Sequence, residues 1–276
     1  MGSAKLSEVE PGFVTGRDGG VLTITFNRPA MGNAIPPAAV PLLTELFRSI
    51  PNDPDVRVLL IRGEGKIFSA GGDIRNFQQT LEVAPDVRRE DFRARLDRAI
   101  PLIEAFVALD LPIVAACQGG VAGAGMAYAL GADIVLADES VNFLFAHQRL
   151  GLTPDGGVSY LLPRAVGERK AIELVLTAAS VKAEEALRLG LVSRIVAAEV
   201  LQDEAMKLAR RLAAAPQGVI RRAKRLVGAA LHRPLSEQMA AERDAIADSV
   251  ADPDFEEGVR AFLEKRAPQF PSASSR

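Results

Sequence analysis

The sequence is poor in the side chains that most often bind metals or form cross-links. Its 276 residues include one cysteine, Cys117, two histidines, His147 and His232, and no tryptophan. A single cysteine excludes an intramolecular disulfide and a multi-cysteine metal site, and two histidines argue against a histidine-based metal centre. We therefore predict no metal site, and we interpret Cys117, which has apolar neighbours, as a buried structural thiol.

Neither sign of charge is in clear excess, and long apolar runs are missing. The formal net charge is −2 and the pI is near 5.9, so overall charge does not favour nucleic acid or an anionic membrane as a partner. No apolar run reaches the ~18 residues of a membrane span. Residues 1–5 also lack the apolar core of a signal peptide. We expect a cytoplasmic protein.

Strand and helix patterns alternate along the first 200 residues, which predicts an α/β layered fold. Val56–Ile61 and Ile113–Cys117 are mostly apolar and are expected to be buried strands. Val21–Phe26 alternates apolar and polar residues, so we predict a half-exposed strand. Residues 76–90 are polar and weakly patterned, and they predict a surface loop or lid.

The last third of the chain is helical in pattern and rich in charge. We divide the chain into a core of residues 1–200 and a C-terminal helical region of residues 201–276, which is expected to pack on a neighbouring subunit as well as on its own core. A basic cluster lies in this region at residues 221–225. We interpret it as a solvated helix face, with an RNA-binding stripe as the alternative.

A glycine-rich turn, Gly119–Gly125, connects the strand that ends at Cys117 to a helical pattern. Small side chains let a ligand touch the backbone, and free N–H groups at a helix start carry partial positive charge. The turn is therefore a candidate anion or oxyanion site, or else a turn that lets a helix pack closely on a sheet. A dinucleotide fingerprint fits less well, because Tyr128 occupies its third glycine position.

Five short segments follow one another along the chain in a characteristic order. They are Asn27-Arg28-Pro29 with Asn33-Ala34, Phe68–Ile74, Gly119–Gly125, Leu150–Gly167 and Phe262–Phe270. These segments resemble motifs of the crotonase (enoyl-CoA hydratase/isomerase) superfamily, in the same order. Gln118 and Ala124 are departures from the family's N-G-x-x-x-G-G-G motif. Within the superfamily, the chain is most similar to the ring-type enoyl-CoA isomerases of phenylacetate degradation.

This resemblance implies a spiral of ββα units followed by a helical trimerisation region, assembled as a homotrimer or a dimer of trimers. It also implies an acyl-CoA thioester as substrate, with CoA as part of that substrate and no separate cofactor. The thioester oxygen would meet the backbone N–H groups of Gly72 and Ala124, which requires a negative φ at Ala124. The CoA contacts that the resemblance implies are Arg28, Ala70, Asp73, Ile74 and Arg75, with Phe262 and Lys265 supplied by a neighbouring subunit.

The family's hydratases use two glutamates, which would fall at Ala127 and His147 in this sequence. Neither is a carboxylate here, whereas Asp155 lies where several relatives carry a catalytic aspartate. One carboxylate can shift a double bond by moving a proton from C2 to C4, provided that apolar surroundings raise its pKa. We therefore predict an enoyl-CoA isomerase with Asp155 as the acid and base. The alternative role of Asp155 is to cap the helix that begins at Val158.

Other interpretations remain open at this point. His147 is either a pocket-wall residue or a residue that acts on the substrate or tunes Asp155. With both residues active, the chain would be a divergent enoyl-CoA hydratase. A protein that keeps the fold but only binds CoA or RNA is a third alternative. Another glycine-rich turn, the first along the chain, spans residues 63–75. The aryl-CoA dehalogenase chemistry of some relatives needs a histidine after this first turn, and none occurs between Asp73 and Asp110.

Overall fold

The computed structural model describes residues 11–72 and 75–273. Most of the strands in this part of the chain lie in its first half, and helices predominate in the second. The strands are β1 (Phe13–Asp18), β2 (Val21–Phe26), β3 (Val58–Gly63), β4 (Ile113–Cys117), β5 (Gly120–Ala122), β6 (Ile134–Ala137), β7 (Asn142–Leu144), β8 (Ser180–Lys182) and β9 (Arg194–Ile195). The helices are α1 (Ala39–Ser49), α2 (Arg75–Gln78), α3 (Pro85–Val107), α4 (Ala124–Leu130), α5 (Val158–Val166), α6 (Glu168–Leu176), α7 (Ala183–Leu189), α8 (Leu201–Ala213), α9 (Gln217–Ala229), α10 (Leu235–Val250) and α11 (Pro253–Glu264).

The main sheet has the strand order β1-β2-β3-β4-β6-β9, and a second sheet has the order β5-β7-β8. In the main sheet only the β1–β2 hairpin is antiparallel, and the other pairs are parallel with crossovers. The second sheet pairs β5 with β7 in parallel. The two sheets meet beside the glycine-rich turn, because β4 and β5 are separated by only Gln118 and Gly119. The alternation of strands and helices confirms the α/β class.

Both faces of β2 are covered, which corrects the prediction for Val21–Phe26. All six residues of this strand are buried. One face packs on the main core, and the other contacts α8, whose Leu201, Ala205 and Leu208 join a second apolar cluster. The polar residues of β2 are accommodated inside: Arg62 Nε donates a hydrogen bond to Thr25 Oγ1 at 2.9 Å. Cys117 is fully buried in β4, and burial raises the pKa of its thiol.

Residues 76–90 are largely helical, so the predicted loop is wrong, while a role as a lid stays a prediction. The segment contains α2, a 3-10 turn at Gln79–Glu82 and the first turns of α3. Proline suits the first turn of a helix, where its missing N–H has no acceptor to lose, and Pro85 begins α3 there. The weak apolar pattern arises because much of this helix is exposed. Only Leu102 and Phe106, near its C-terminal end, are buried.

The basic cluster on α9 forms ion pairs within the chain, which corrects its interpretation as a solvated face. Arg221 lies 2.9 Å from Asp110, and Lys224 Nζ lies 2.7 Å from Asp133 and also donates to the carbonyl of Leu111. Further pairs join Arg222 to Asp252 and Arg225 to Asp110. These contacts attach α9 to loops of the core. The boundary at residue 200 stays a prediction, although α8 contributes directly to the core.

Candidate active site

The two glycine turns run side by side. The Phe68 N–H donates to the Gln118 carbonyl at 2.8 Å, and the Ala122 N–H donates to the Ser69 carbonyl at 3.0 Å. Ser69 and Val121 form a parallel bridge. The segment before Gly72 therefore runs beside β5 and pairs with it at an isolated bridge, although the two turns are some fifty residues apart in the sequence.

The backbones of the two turns also approach closely at Gly71. A Cβ built on Gly71 would lie 2.5 Å from the Ala124 nitrogen, and one built on Gly123 would lie 3.7 Å from the Gly72 nitrogen. Gly71 also has a φ of +85°, which L side chains rarely adopt. Ala124 is the first residue of α4, and its φ is not positive. The geometric condition for its proposed role is met.

A buried hydrogen-bond network holds the first turn in place. Ser69 Oγ donates to the Asn33 carbonyl at 2.9 Å and accepts from the Gly71 N–H at 3.1 Å. Asn33 Nδ2 donates to the carbonyls of Ile67 and Glu64 at 2.6 and 2.8 Å. These positioning roles were not predicted from the sequence. Their signal lay in the N-A and F-S-A-G segments, which we interpreted only as markers of the family.

Gln118 is the counterpart of this network in the second turn. Its Nε2 donates to the carbonyls of Gly63 and Gly65 at 2.7 and 2.9 Å. The side chain is buried, so both bonds stabilise the strand ends from which the turns begin. The departure from asparagine at this position is therefore accommodated by a longer side chain that reaches across to β3.

A cavity of about 640 Å³, hereafter the central cavity, opens beside Gly72 of the first turn, and Ala124 and His147 are not among its lining residues. Gly72 and Asp155 both line it, so a molecule in this space could touch the Gly72 backbone and the Asp155 carboxylate together. Its walls are mainly apolar residues of α1 and α3. The lining residues are Ile35, Pro37, Val40, Pro41, Thr44, Glu45, Arg48, Gly72, Phe77, Phe92, Arg95, Leu96, Arg98, Ala99, Pro101 and Asp155.

Asp155 does not cap the following helix. The residue before α5 is Gly157, and the helix start has no side-chain cap; only the backbone carbonyl of Asp155 accepts the Val158 N–H. The Asp155 side chain is 46% exposed. The chain alone therefore encloses it only in part, contrary to the apolar surroundings that we expected.

His147 faces Asp155 from the 3-10 turn Ala146–Leu150. Its Nε2 lies 3.7 Å from Asp155 Oδ1, which is too long for a hydrogen bond. This nitrogen is buried and has no hydrogen-bond partner among the described residues. Because a buried polar atom without a partner is unfavourable, the pair is suited to accept a third group between or beside them.

Ala127 lies directly beneath the Asp155 loop. It is fully buried in α4, and a Cβ built on Gly156 would lie 3.8 Å from the Ala127 Cβ. The place where the resemblance puts the first hydratase glutamate is therefore a methyl group packed under the loop, with no carboxylate.

Three of the predicted CoA residues gather around the 3-10 turn Pro29–Met31. Arg28 Nη1 donates to the Ala34 carbonyl at 3.1 Å, Arg75 Nη2 donates to Met31 Sδ at 2.7 Å, and Ala70 is exposed with its N–H bonded to the Gly32 carbonyl. Asp73 and Ile74 lie outside the described residues.

Phe262 and Lys265 lie apart from this group, at the end of α11. This helix packs on α10 and on the final 3-10 turn Pro271–Ala273. Phe262 is 83% exposed, and Lys265 ends the helix with a φ of +55°. The described chain does not bring these two residues to the central cavity.

In residues 11–72 and 75–273 no cluster of three or more histidine, cysteine, aspartate or glutamate side chains could hold a metal ion. The helices in this part of the chain also include none that is both long and apolar enough to cross a membrane.

The fold and the paired glycine turns are those of a crotonase-type enzyme. The profile of the family described as Enoyl-CoA hydratase/isomerase matches residues 16–273, and the chain belongs to this family. The resemblance predicted from the motifs is confirmed.

Individual relatives carry both activity names. The chain is 36% identical over 252 residues to the 1,2-epoxyphenylacetyl-CoA isomerase of Escherichia coli K12, covering 91% of this chain and 95% of that one. It is 35% identical to the "Probable enoyl-CoA hydratase" of Rhodobacter capsulatus, covering 91% and 94%. An enoyl-CoA hydratase structure from Polaromonas sp. JS666 superposes with a TM-score of 0.84 at 31% identity, covering 93% and 98%.

Proposed function

We propose that the protein is an acyl-CoA isomerase that shifts a double bond in an enoyl-CoA thioester, with Asp155 as its acid and base. The observation that carries the proposal is that Asp155 and Gly72 line one cavity, while Ala127 and His147 stand where a hydratase of the family would carry its two glutamates. The isomerase name of the Escherichia coli relative supports the same choice.

The first step of the reaction places the thioester oxygen at the backbone N–H groups of Gly72 and Ala124. Removal of a proton from C2 moves negative charge onto this oxygen and gives a dienolate. Fixed donors that meet the charge need no reorganisation during the reaction, and loss of one typically costs roughly 10²–10³ in rate. The close approach of the two turns at Gly71 supports this pairing of donors.

Asp155 then moves one proton between two carbons. It removes the proton from C2 of a 3-enoyl group and returns it to C4, so that the double bond lies between C2 and C3 and no atom is gained or lost. The carboxylate is 46% exposed in the chain alone. An acyl group in the central cavity would exclude water from it and strengthen it as a base, because desolvation disfavours the charged form.

A divergent hydratase is the second candidate, and the unpartnered His147 Nε2 favours it. A water molecule between this nitrogen and Asp155 Oδ1, which are 3.7 Å apart, would be held by two groups that can exchange protons with it. Addition of water across a 2-enoyl group would then use both residues, whereas isomerisation needs Asp155 alone.

We also propose that CoA lies along Arg28, Ala70 and Arg75 and that Phe262 and Lys265 reach it from a second subunit of a trimer. Support comes from the exposed apolar side chains of the C-terminal helices, which a neighbouring subunit would bury. Those exposed by about half or more are Val227, Leu231, Leu235, Met239, Ile246, Val250, Phe262 and Leu263. The ion pairs that engage the α9 cations within the chain argue against an RNA-binding stripe.

Replacement of Asp155 by asparagine tests the proposal. Asp155→Asn keeps the size of the side chain but cannot take up the C2 proton, and positioned acid–base groups contribute roughly 10²–10⁴ in rate. We expect isomerisation of 3-enoyl-CoA, followed by absorbance and mass, to fall by that factor while the Kd for a saturated acyl-CoA is unchanged. Undiminished turnover would show that Asp155 is not the base.

A further inference from the structure

The central cavity carries more positive charge than the proposed reaction uses. Arg48 on α1 and Arg95 and Arg98 on α3 line it, against two acidic residues, Glu45 and Asp155. Asp155 belongs to the reaction centre. Glu45 is then the one carboxylate on the lining that could balance three guanidinium groups.

These charges are not engaged elsewhere in the described part of the chain. Arg48, Arg98 and Glu45 make no hydrogen bond or ion pair there, and all three are exposed. Arg95 has its guanidinium carbon 5.5 Å from the centre of the Phe92 ring.

Two other arginines of α3 provide the contrast. Arg88 donates to the carbonyls of Thr80 and Val83, and Arg93 pairs with Glu90 at 3.2 Å. Both have protein partners outside the central cavity. The guanidinium groups of Arg48 and Arg98, which line the cavity, have no such partner among the described residues and remain available to a ligand.

Arg48 lies beyond an apolar stretch of the wall. Val40 follows Ile35, whose N–H donates to the Gly71 carbonyl beside the reaction centre. Arg48 lies eight residues, or about 12 Å of helix, further along α1. On α3, Arg98 lies between the apolar lining residues Leu96 and Ala99. A ligand that fills the cavity would therefore meet apolar surface on both helices and the Arg48 guanidinium group at a distance from the thioester.

We propose that the central cavity selects acyl-CoA thioesters whose acyl chain carries an anionic group, in the simplest case a terminal carboxylate, and that Arg48 and Arg98 determine this specificity. The proposal rests on the proposed function, because it takes the central cavity as the acyl site. Guanidinium groups suit it, since their planar array of donors matches a carboxylate in two parallel hydrogen bonds.

The test compares the binding of two saturated CoA thioesters of equal chain length. The acyl chain ends in a methyl group in one, the methyl-ended thioester, and in a carboxylate in the other, the carboxylate-ended thioester. Neither can isomerise, so calorimetry gives a Kd without turnover. We expect the wild type to bind the carboxylate-ended thioester more tightly. The double variant Arg48→Met, Arg98→Met should raise the Kd of this thioester by about tenfold, which is the lower end of what charged hydrogen bonds contribute, because the site is exposed. The Kd of the methyl-ended thioester should not change.

Two further variants sharpen the test. Arg93→Met removes a charge from the same helix outside the central cavity and should leave both Kd values unaltered. Glu45→Gln removes the opposing charge and should increase the preference for the carboxylate-ended thioester.

The proposal is overturned if the wild type binds the methyl-ended thioester as tightly as the carboxylate-ended one. It is also overturned if the double variant raises the Kd of both thioesters by the same factor, which would mean that the arginines bind CoA itself. Neither outcome bears on Asp155, whose assignment depends on turnover of a 3-enoyl ester.

Discussion

The two halves of the candidate site are built in opposite ways. The glycine-turn half consists of backbone atoms fixed by buried side chains, with Asn33 and Ser69 no more than 1% exposed. The half that contains Asp155 and His147 consists of side chains that make no hydrogen bond to each other, and Asp155 is nearly half exposed. One half is a rigid part of the fold, and the other is free to respond to a ligand.

This difference explains how one family can include both isomerases and hydratases. A backbone N–H is present whatever the side chain, so the substitution of alanine for glycine at position 124 leaves the donor intact. An acid or base group depends on which side chain is present. Ala127 and His147 stand in place of the two hydratase glutamates without disturbing the turns. In the proposed mechanism, the fold fixes how negative charge is stabilised, while a few side chains determine where the proton goes.

Among changes that leave Asp155 in place, the largest effect should come from a methyl group added to the rigid half. Gly71→Ala would place its Cβ 2.5 Å from the Ala124 nitrogen at a φ of +85°, so the turns must separate. We expect kcat to fall by roughly 10²–10³, as for loss of an oxyanion donor, with a lowered Tm. Gly16→Ala, which meets no atom within 4 Å, is the control. Wild-type kcat in Gly71→Ala would break the distinction between the two halves.

A smaller effect should follow from a change in the responsive half. His147→Ala removes a group that lies 3.7 Å from Asp155 without a hydrogen bond. We expect isomerisation to fall by tenfold or less, about 1.4 kcal/mol in the barrier, in steady-state assays on 3-enoyl-CoA. A loss equal to that of Asp155→Asn would make His147 an equal partner. Selective loss of hydration of a 2-enoyl ester would favour the hydratase.

The smallest effect should come from restoring the family's glycine at position 124. Ala124→Gly keeps the N–H donor, so kcat should stay within about twofold of the wild type. Glycine is less favourable than alanine in a helix, and the free energy of unfolding should fall by roughly 0.5–1 kcal/mol. Denaturant unfolding with parallel rate measurements checks both values. A large loss of rate would mean that the methyl group itself takes part in the site.

The sequence predicted local elements well and long-range contacts poorly. Strand Ile113–Cys117 has the predicted bounds, and a helix begins at Val158 as expected. The burial of β2 was missed because α8, some 175 residues later, covers its second face. The partners of the α9 cations, such as Asp110 and Asp133, are likewise distant in sequence. Neither contact leaves a periodic pattern in the segment itself.

The candidate site shows the same limit. Both glycine turns and Asp155 were identifiable from residue types in order, but the sequence did not show that Gly71 brings the turns into contact. It also did not show that α3 extends back to Pro85 and lines the cavity, since polar residues on an exposed helix resemble a loop in composition. Sequence pattern suggested a candidate chemistry, and only the tertiary structure places a charged cavity wall beside Gly72 and Asp155.

The burial of Cys117 has a practical consequence for labelling studies. Only the thiolate reacts with alkylating reagents, and full burial both blocks access and raises the pKa of this thiol. The native chain is therefore silent to thiol-directed probes. A fluorophore on a cysteine introduced at an exposed rim position of the central cavity would carry the whole signal, so that entry of an acyl group could be followed in real time without first removing a native residue.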